Sequence, residues 1–366
     1  MSIIIFLIIL LVLVLVHEFG HFFTAKRFGI RVDEFGFGFP PKLFGWKKGE
    51  TEYSVNALPF GGFVKIFGEN PDEENTSGPD AGRSFVNKPK WQQAMVLFAG
   101  VFANFLLAWL LFSAGFISGL PTSADSKLAS YNLEDVNLVV ISILKNSPAE
   151  NAGLQVGDKI VSLKNNSDFT SEINPEKVKS FVLESRDKEI EIGYLRSRDT
   201  EIKFVKAVPA VNEVTGSPEI GISMDMIGTA KLPFFTALYE GMKLNLNVTK
   251  NTAIGLFTLI YEGILGRGSL EGIAGPVGIV GIVGDAYQFG FVYLLSFAAL
   301  ISINLAIINL FPFPALDGGR LLFLLIEKIK GSRINLKFAN AANMVGFSLL
   351  ILLMLIVTYH DIIKLF

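Results

Sequence analysis

The sequence predicts a polytopic α-helical membrane protein: about four transmembrane helices, a β-hairpin in the first connection, and a small α+β domain inserted between the second and third helices. Three observations carry that class. Of 366 residues 51% are hydrophobic and only 18% charged, with a mean hydropathy of +0.47, where a soluble protein carries nearer a quarter charged. Apolar residues gather into four runs, each close to the ~20 residues that a spanning helix needs. Between the second and third runs the pattern changes to short Val-rich segments set off by Gly and Asp turns, which read as strands. A net charge of −2 without a basic tract excludes the electrostatic footprint of a nucleic-acid binder. With no cysteine, disulfides and thiolate metal sites are excluded as well.

The first span begins at Ile3, is uncharged to Val16, and continues through Phe19, Phe22 and Phe23. Near its end stands His17-Glu18-Phe19-Gly20-His21, the HExxH pattern. Helical residues four apart share a face, so both imidazoles can reach one ion while Glu18 holds a water. HExxH also occurs by chance on amphipathic helices. Here it lies in a span, where ionisable groups are costly and rarely idle, and it takes two of the chain's three histidines. A signal peptide is excluded by the missing basic n-region and small-residue cleavage site.

In the first connection, Glu52 to Leu58 alternates polar and apolar, Pro59 to Gly62 supplies a turn and Phe63 to Phe67 continues as a second strand, a hairpin pattern. Asn70 to Gly82 is polar and acidic and reads as a mobile loop. The second span runs from Ala94 to Phe116 and stops at Ser118-Gly119-Leu120-Pro121. From Val136 to Val208 a soluble domain follows, with strands at Asn137 to Leu144, Lys159 to Lys164 and Glu189 to Leu195. Pro233 to Gly266 repeats apolar residues at helical spacing, with Lys243, Asn245, Asn247 and Lys250 on other faces, and reads as an interfacial amphipathic helix. Gly275, Gly278, Gly281 and Gly284 allow close backbone packing. Phe289 to Phe311 and Ala341 to Tyr359 complete the spans. The resulting division is 1–28, 29–91, 92–121, 122–232, 233–286, 287–331 and 332–366. Lys and Arg concentrate in the connections between spans one and two and between three and four, which places both in the cytoplasm and the inserted domain outside.

A hydrolytic zinc needs three protein ligands and an open position. His360, the remaining histidine, falls at the far end of the last span, so a carboxylate must complete the set. Asp317 is the candidate. The run Asn309-Leu310-Phe311-Pro312-Phe313-Pro314-Ala315-Leu316-Asp317-Gly318-Gly319 breaks an apolar region with two prolines and two glycines, and irregular backbone at membrane depth is tolerated where it lines a water-filled site.

Ser147-Pro148-Ala149-Glu150-Asn151-Ala152-Gly153-Leu154-Gln155-Val156-Gly157-Asp158, followed by Lys159-Ile160-Val161-Ser162-Leu163, resembles the bacterial type of PDZ domain. Taken with HEFGH and NLFPFPALDGG, this PDZ-like domain makes the chain resemble the site-2 protease family of intramembrane zinc metalloproteases, in its bacterial regulator-of-sigma-E-protease branch. Gly36 to Leu43, Pro59 to Lys65 and Gly275 to Ile279 also match that branch; this chain departs from it in having one PDZ-like unit where well-known relatives have two in tandem. The resemblance implies Zn2+ held by His17, His21 and Asp317, with Glu18 as general base. It places Asn309 beside the substrate backbone, as oxyanion stabiliser or clamp, with Pro312, Pro314, Gly61 and Gly62 as further substrate-binding candidates. It implies a hairpin dipping into the membrane beside the zinc, to whose edge an unwound substrate adds as a strand.

The function expected is therefore hydrolysis of peptide bonds within or next to transmembrane segments of membrane protein substrates, trimmed beforehand outside the bilayer. The expected location is the bacterial cytoplasmic (inner) membrane, with the zinc near the cytoplasmic side. A PDZ scaffold without catalysis would leave the His, Glu, His and Asp set unused. An anchored protease acting on soluble peptides would carry its motif in an aqueous domain.

Overall fold

A computed structural model describes residues 1–366 apart from 71–72, 127, 129–130, 197–200, 213–215, 269–272 and 365–366. The chain divides into a helical unit (1–113, 238–287 and 294–366) and an α+β unit (114–237 and 288–293).

The helical unit is built on helices α1 (Ser2–Arg27) and α2 (Lys90–Ser118), with strands β1 (Val32–Lys48) and β2 (Thr51–Ile66) between them. Together with α7 (Phe291–Leu310) and α9 (Leu336–Ile363), α1 and α2 are the four helices among the described residues that are long and apolar enough to cross a membrane. The third span begins two residues later than expected, because Gly290 adopts φ 113° and separates it from the helix that ends at Phe289. Helices α2 and α7 meet through Ala108, Phe112, Ala299 and Ile303. Small side chains at that contact let the backbones approach, and Ser302 Oγ donates to the Asn104 carbonyl at 2.8 Å.

The hairpin is larger than the sequence suggests and is paired differently. Expected strands 52–58 and 63–67 do not pair with each other. Residues 32–37 run between them, with Phe35 opposite both Tyr53 and Val64, while 42–48 pairs along the other side of 51–56. The middle strand escaped notice because Gly36-Phe37-Gly38-Phe39-Pro40-Pro41 is glycine- and proline-rich, a composition depleted in strands. Within the loop expected at 70–82, residues Glu73–Ser77 form a short helix and Ala81–Arg83 a 3-10 turn.

Helix α5 (Phe234–Ile264) follows the α+β unit. Asn245, expected on its polar face, is fully buried and its Nδ2 donates to the Phe105 carbonyl of α2 at 3.2 Å, while Trp109 Nε1 donates to the Leu238 carbonyl at 2.9 Å. This part of the helix packs on α2. Helix α6 (Pro276–Phe289) is held by buried Asp361 of α9, whose carboxylate accepts from Gly275 N at 3.1 Å and Gly278 N at 2.8 Å. Of the four spaced glycines, Gly275, Gly278 and Gly284 serve close approach, whereas a Cβ on Gly281 would meet nothing within 4 Å. A Cβ at Gly275 would lie 2.7 Å from Asp361 Oδ2.

In the α+β unit, β3 (Leu120–Ser123), β4 (Glu134–Ile143), β5 (Lys159–Lys164), β6 (Ile190–Leu195), β7 (Lys203–Ala207) and β8 (Ile222–Ala230) form an antiparallel sheet of order β3-β8-β4-β5-β6-β7. Helices α3 (Pro148–Asn151) and α4 (Pro175–Glu184) accompany it, and Val178, Phe181 and Val182 of α4 join Leu138, Ile160 and Ile192 in one core. Each helix starts at a residue whose side chain accepts from a backbone amide, Ser147 from Glu150 N and Asn174 from Lys177 N. The domain core extends beyond the expected 136–208, since β8 pairs with β4 inside the sheet. Its Met-Asp-Met-Ile-Gly-Thr stretch alternates too weakly to be read as a strand from pattern alone.

Candidate metal centre

Helix α1 places His17 and His21 one turn apart, both buried. Asp317, 300 positions away from His17, brings its Oδ2 to 3.0 Å from His17 Nε2 and 3.3 Å from His21 Nε2. The two Nε2 atoms are 3.1 Å apart. His21 Nδ1 donates to the Val96 carbonyl at 2.8 Å; a proton on Nδ1 leaves the Nε2 lone pair facing the other two groups, the usual support for a metal-binding imidazole. All three donor atoms lie within 4.8 Å of one another. Two imidazoles and one carboxylate converging on a point are the donor set of a hydrolytic zinc site, with a position left for water. His360 is not part of this cluster.

Asp317 opens α8 (Asp317–Lys330) immediately after the proline-broken turn. Its glycines are required by close approach. A Cβ on Gly318 would lie 2.2 Å from the Leu310 and Phe311 carbonyl oxygens, and one on Gly319 2.2 Å from that of Phe313. Asn343 of α9 holds the turn by accepting from Ala315 N at 3.2 Å.

Glu18 faces β2, where its Oε2 accepts from Val64 N at 3.1 Å. His17, Glu18, His21 and Asp317 all line one cleft of about 290 Å³, walled by Phe63, Val64 and Ile66 of β2 and by Arg320 of α8. Candidate metal ligands and the candidate base, from two distant segments, α1 and α8, thus share one space against β2.

The remaining site residues expected from sequence do not line this cleft. Asn309 is half-buried on the last turn of α7, and Pro312 and Pro314 shape the turn before Asp317. Gly61 and Gly62 set β2 against α1, where Cβ atoms would lie 3.2 Å from Val14 Cγ1 and 2.8 Å from Leu15 Cδ2 respectively. Conversely, sequence reasoning missed Gly100. A Cβ there would lie 2.4 Å from His21 Nε2 and 2.8 Å from His17 Cε1, so only glycine lets α2 pass over the imidazoles. Its signal was slight: one glycine in a run of small and apolar residues. Glu69 and Arg320, an ion pair on the cleft wall, were missed too.

A fold of spanning helices carrying a His, His, Asp centre beside a glutamate defines a membrane metallopeptidase. The sequence profile of peptidase family M50 matches residues 5–353, and the chain belongs to that family, the site-2 proteases. Regulator of sigma-W protease RasP of Bacillus subtilis is 30% identical over 447 residues, covering 100% of this chain and 99% of that protein. Zinc metalloprotease RasP of Bacillus licheniformis is 31% identical over 445 residues, with the same coverage. A Clostridium perfringens relative assigned to the zinc metalloproteases is 36% identical, covering 96% of this chain and 95% of its own. Among solved structures, the PDZ domain of an SdrC-like protein from Listeria monocytogenes is similar to 24% of this chain at 20% identity, covering 86% of that chain with a TM-score of 0.20. The protein is a zinc metalloendopeptidase.

Proposed function

We propose that the protein cleaves membrane protein substrates within or next to their transmembrane segments, with zinc held by His17, His21 and Asp317 and with Glu18 as general base. The observation that carries this reading is the convergence of the three donors and Glu18 in one cleft against a helix long and apolar enough to span. Bound there, zinc supplies a Lewis acid that lowers the pKa of water from 15.7 toward about 7.

Glu18 takes the proton from the attacking water and returns it to the leaving amine. Its bond to Val64 N holds the carboxylate at the cleft. Among the described residues, strand residues 62–66 pair only with 32–37, which leaves their other edge to receive an extended substrate by strand addition. Such pairing keeps a helical segment unwound, so that its carbonyls become open to attack. Asn309 acts further along the substrate backbone. The α+β unit contributes a groove of about 640 Å³ between α4 and residues 217–224, suited to an extended peptide segment. It serves as a filter that admits substrates already trimmed outside a bacterial inner membrane, with the zinc near the cytoplasmic side by the charge rule. Zinc content and cleavage of a model transmembrane substrate, measured for wild type and Glu18→Gln, test the reading. It fails if wild type holds no zinc or if the variant cleaves at the wild-type rate.

A further inference from the structure

A second chamber lies beside the metal cleft. It has a volume of about 310 Å³ and shares Glu69, Phe85, Leu97 and Arg320 with the cleft. The Glu69–Arg320 ion pair therefore stands in the wall common to both spaces. Arg320 and Glu18 line the same cleft.

Every charged side chain lining the second chamber is already partnered. Glu69 holds Arg320, Lys90 pairs with Glu327, and Glu327 also accepts from Ile334 N at 2.9 Å. Arg333 donates to the Val86 carbonyl at 3.3 Å and to Asn87 Oδ1 at 3.0 Å. What the chamber offers an occupant is then chiefly the apolar surface of Phe323, Leu324, Leu336 and Ala339. A peptide extended across the metal cleft sends successive side chains to opposite sides, about 3.3 Å apart along the strand.

We infer that the second chamber is a specificity subsite for the cleaved reaction, taking an uncharged apolar side chain of the substrate close to the scissile bond. The inference rests on the proposed function, since it needs a peptide in the metal cleft. Arg320, held by Glu69 in the common wall, faces the adjoining substrate backbone with its remaining donors and keeps a carboxylate or ammonium side chain from entering unpaired.

The test uses the full chain in liposomes and a model transmembrane substrate whose single cleavage site is mapped by mass spectrometry. Ala, Leu, Phe, Asp and Lys are placed in turn at each of the residues flanking that site. Wild type should favour Leu or Phe at one flanking position and reject Asp and Lys there. Ala339→Trp narrows the chamber and should lower kcat/KM for the Leu and Phe substrates about tenfold or more, mainly through KM, while the Ala substrate is spared. Phe323→Ala widens the chamber and should shift preference toward Phe, which keeps the inference testable if the tryptophan variant fails to fold. Zinc content should stay at the wild-type level in both. Variants that bind zinc and cleave with the unaltered wild-type profile overturn the subsite alone. A wild type that cleaves nothing in the panel overturns the proposed function, and the subsite with it.

Discussion

The metal cleft and the groove of the α+β unit are both concave, yet they are assembled from different parts of the polypeptide. Side-chain atoms make the cleft: two imidazoles, three carboxylates and a guanidinium, brought from α1, α8 and the segment after β2 and closed by an amide of β2. The groove is a surface between a helix and a length of main chain, residues 217–224, lined by Val178, Val182, Leu183 and Ile220. The difference teaches where each region is vulnerable. A site made of converging polar atoms fails when one atom changes, because the partners left behind are buried and unpaired. A groove that offers backbone and apolar surface loses only a fraction of its grip at any one substitution.

That contrast breaks first, and most severely, at Glu18. Glu18→Gln keeps the shape but cannot take a proton, and cleavage should fall by about 10² to 10⁴ with zinc retained, as measured by metal analysis beside a turnover assay. Asp317→Ala should lose stoichiometric zinc and activity together, since two imidazoles leave the ion short of a ligand. Full zinc occupancy in that variant would reassign the third ligand. A smaller effect is expected at Gly100, which contacts no substrate. Gly100→Ala sets a methyl against both imidazoles and should weaken zinc binding about 10- to 100-fold, the scale of a disturbed metal-ligand support, read by competition with a chelator. If zinc affinity is unchanged, α2 does not pass so close.

On the other side of the comparison, Leu183→Glu replaces apolar surface of the groove with a charge. It should weaken binding of an extended peptide to the full-length protein by up to about tenfold through lost apolar contact, while zinc content and turnover of a short substrate stay at wild-type levels. A fall in turnover of the short substrate would show that groove and cleft are not independent. The smallest effect is expected at Glu50, whose carboxylate accepts from Lys26 at 2.6 Å and from Arg83 at 2.6 Å. The hydrogen bond from Lys26, with that from Arg83, holds the Glu50 carboxyl below its ordinary value of 4.5. A carboxyl lowered on folding adds stability that is fully present above its unfolded pKa and is lost as pH falls through the folded one. Glu50→Gln should therefore cost less than about 1 kcal/mol near neutrality, because the pair is partly solvated, and should flatten the acid limb of the melting profile below pH 4.5.

The cleft and the groove also differ in how far they could be read in advance. His17, Glu18 and His21 were legible because one helical turn brings the pattern together, and no other part of the chain is needed to see it. Asp317 was legible by elimination, cysteine being absent and the remaining histidine lying at the end of another span. Gly318 and Gly319 were read as a turn, but their close approach to three carbonyl oxygens was not visible. The hairpin was read from alternation at 52–67, and its pairing came out wrong because residues 32–37, poor in strand-forming composition, take the middle position. In the α+β unit the motif at 147–163 marked the domain, while β3 and β8 stayed unseen beyond its ends.

By itself the sequence determined what depends on near neighbours: four apolar runs of spanning length, two imidazoles and a glutamate on one helical turn, and the proline and glycine break that opens α8. Hydropathy, helical period and backbone restriction act within a few residues, so they survive in the linear text. Tertiary structure alone decided that Asp317 meets His17 across 300 positions, that Val64 N holds Glu18, that Gly100 makes room for the imidazoles, and that Arg320 divides the metal cleft from a second chamber. Those facts depend on how helices and strands pack, and packing is a property of pairs that are remote in the chain.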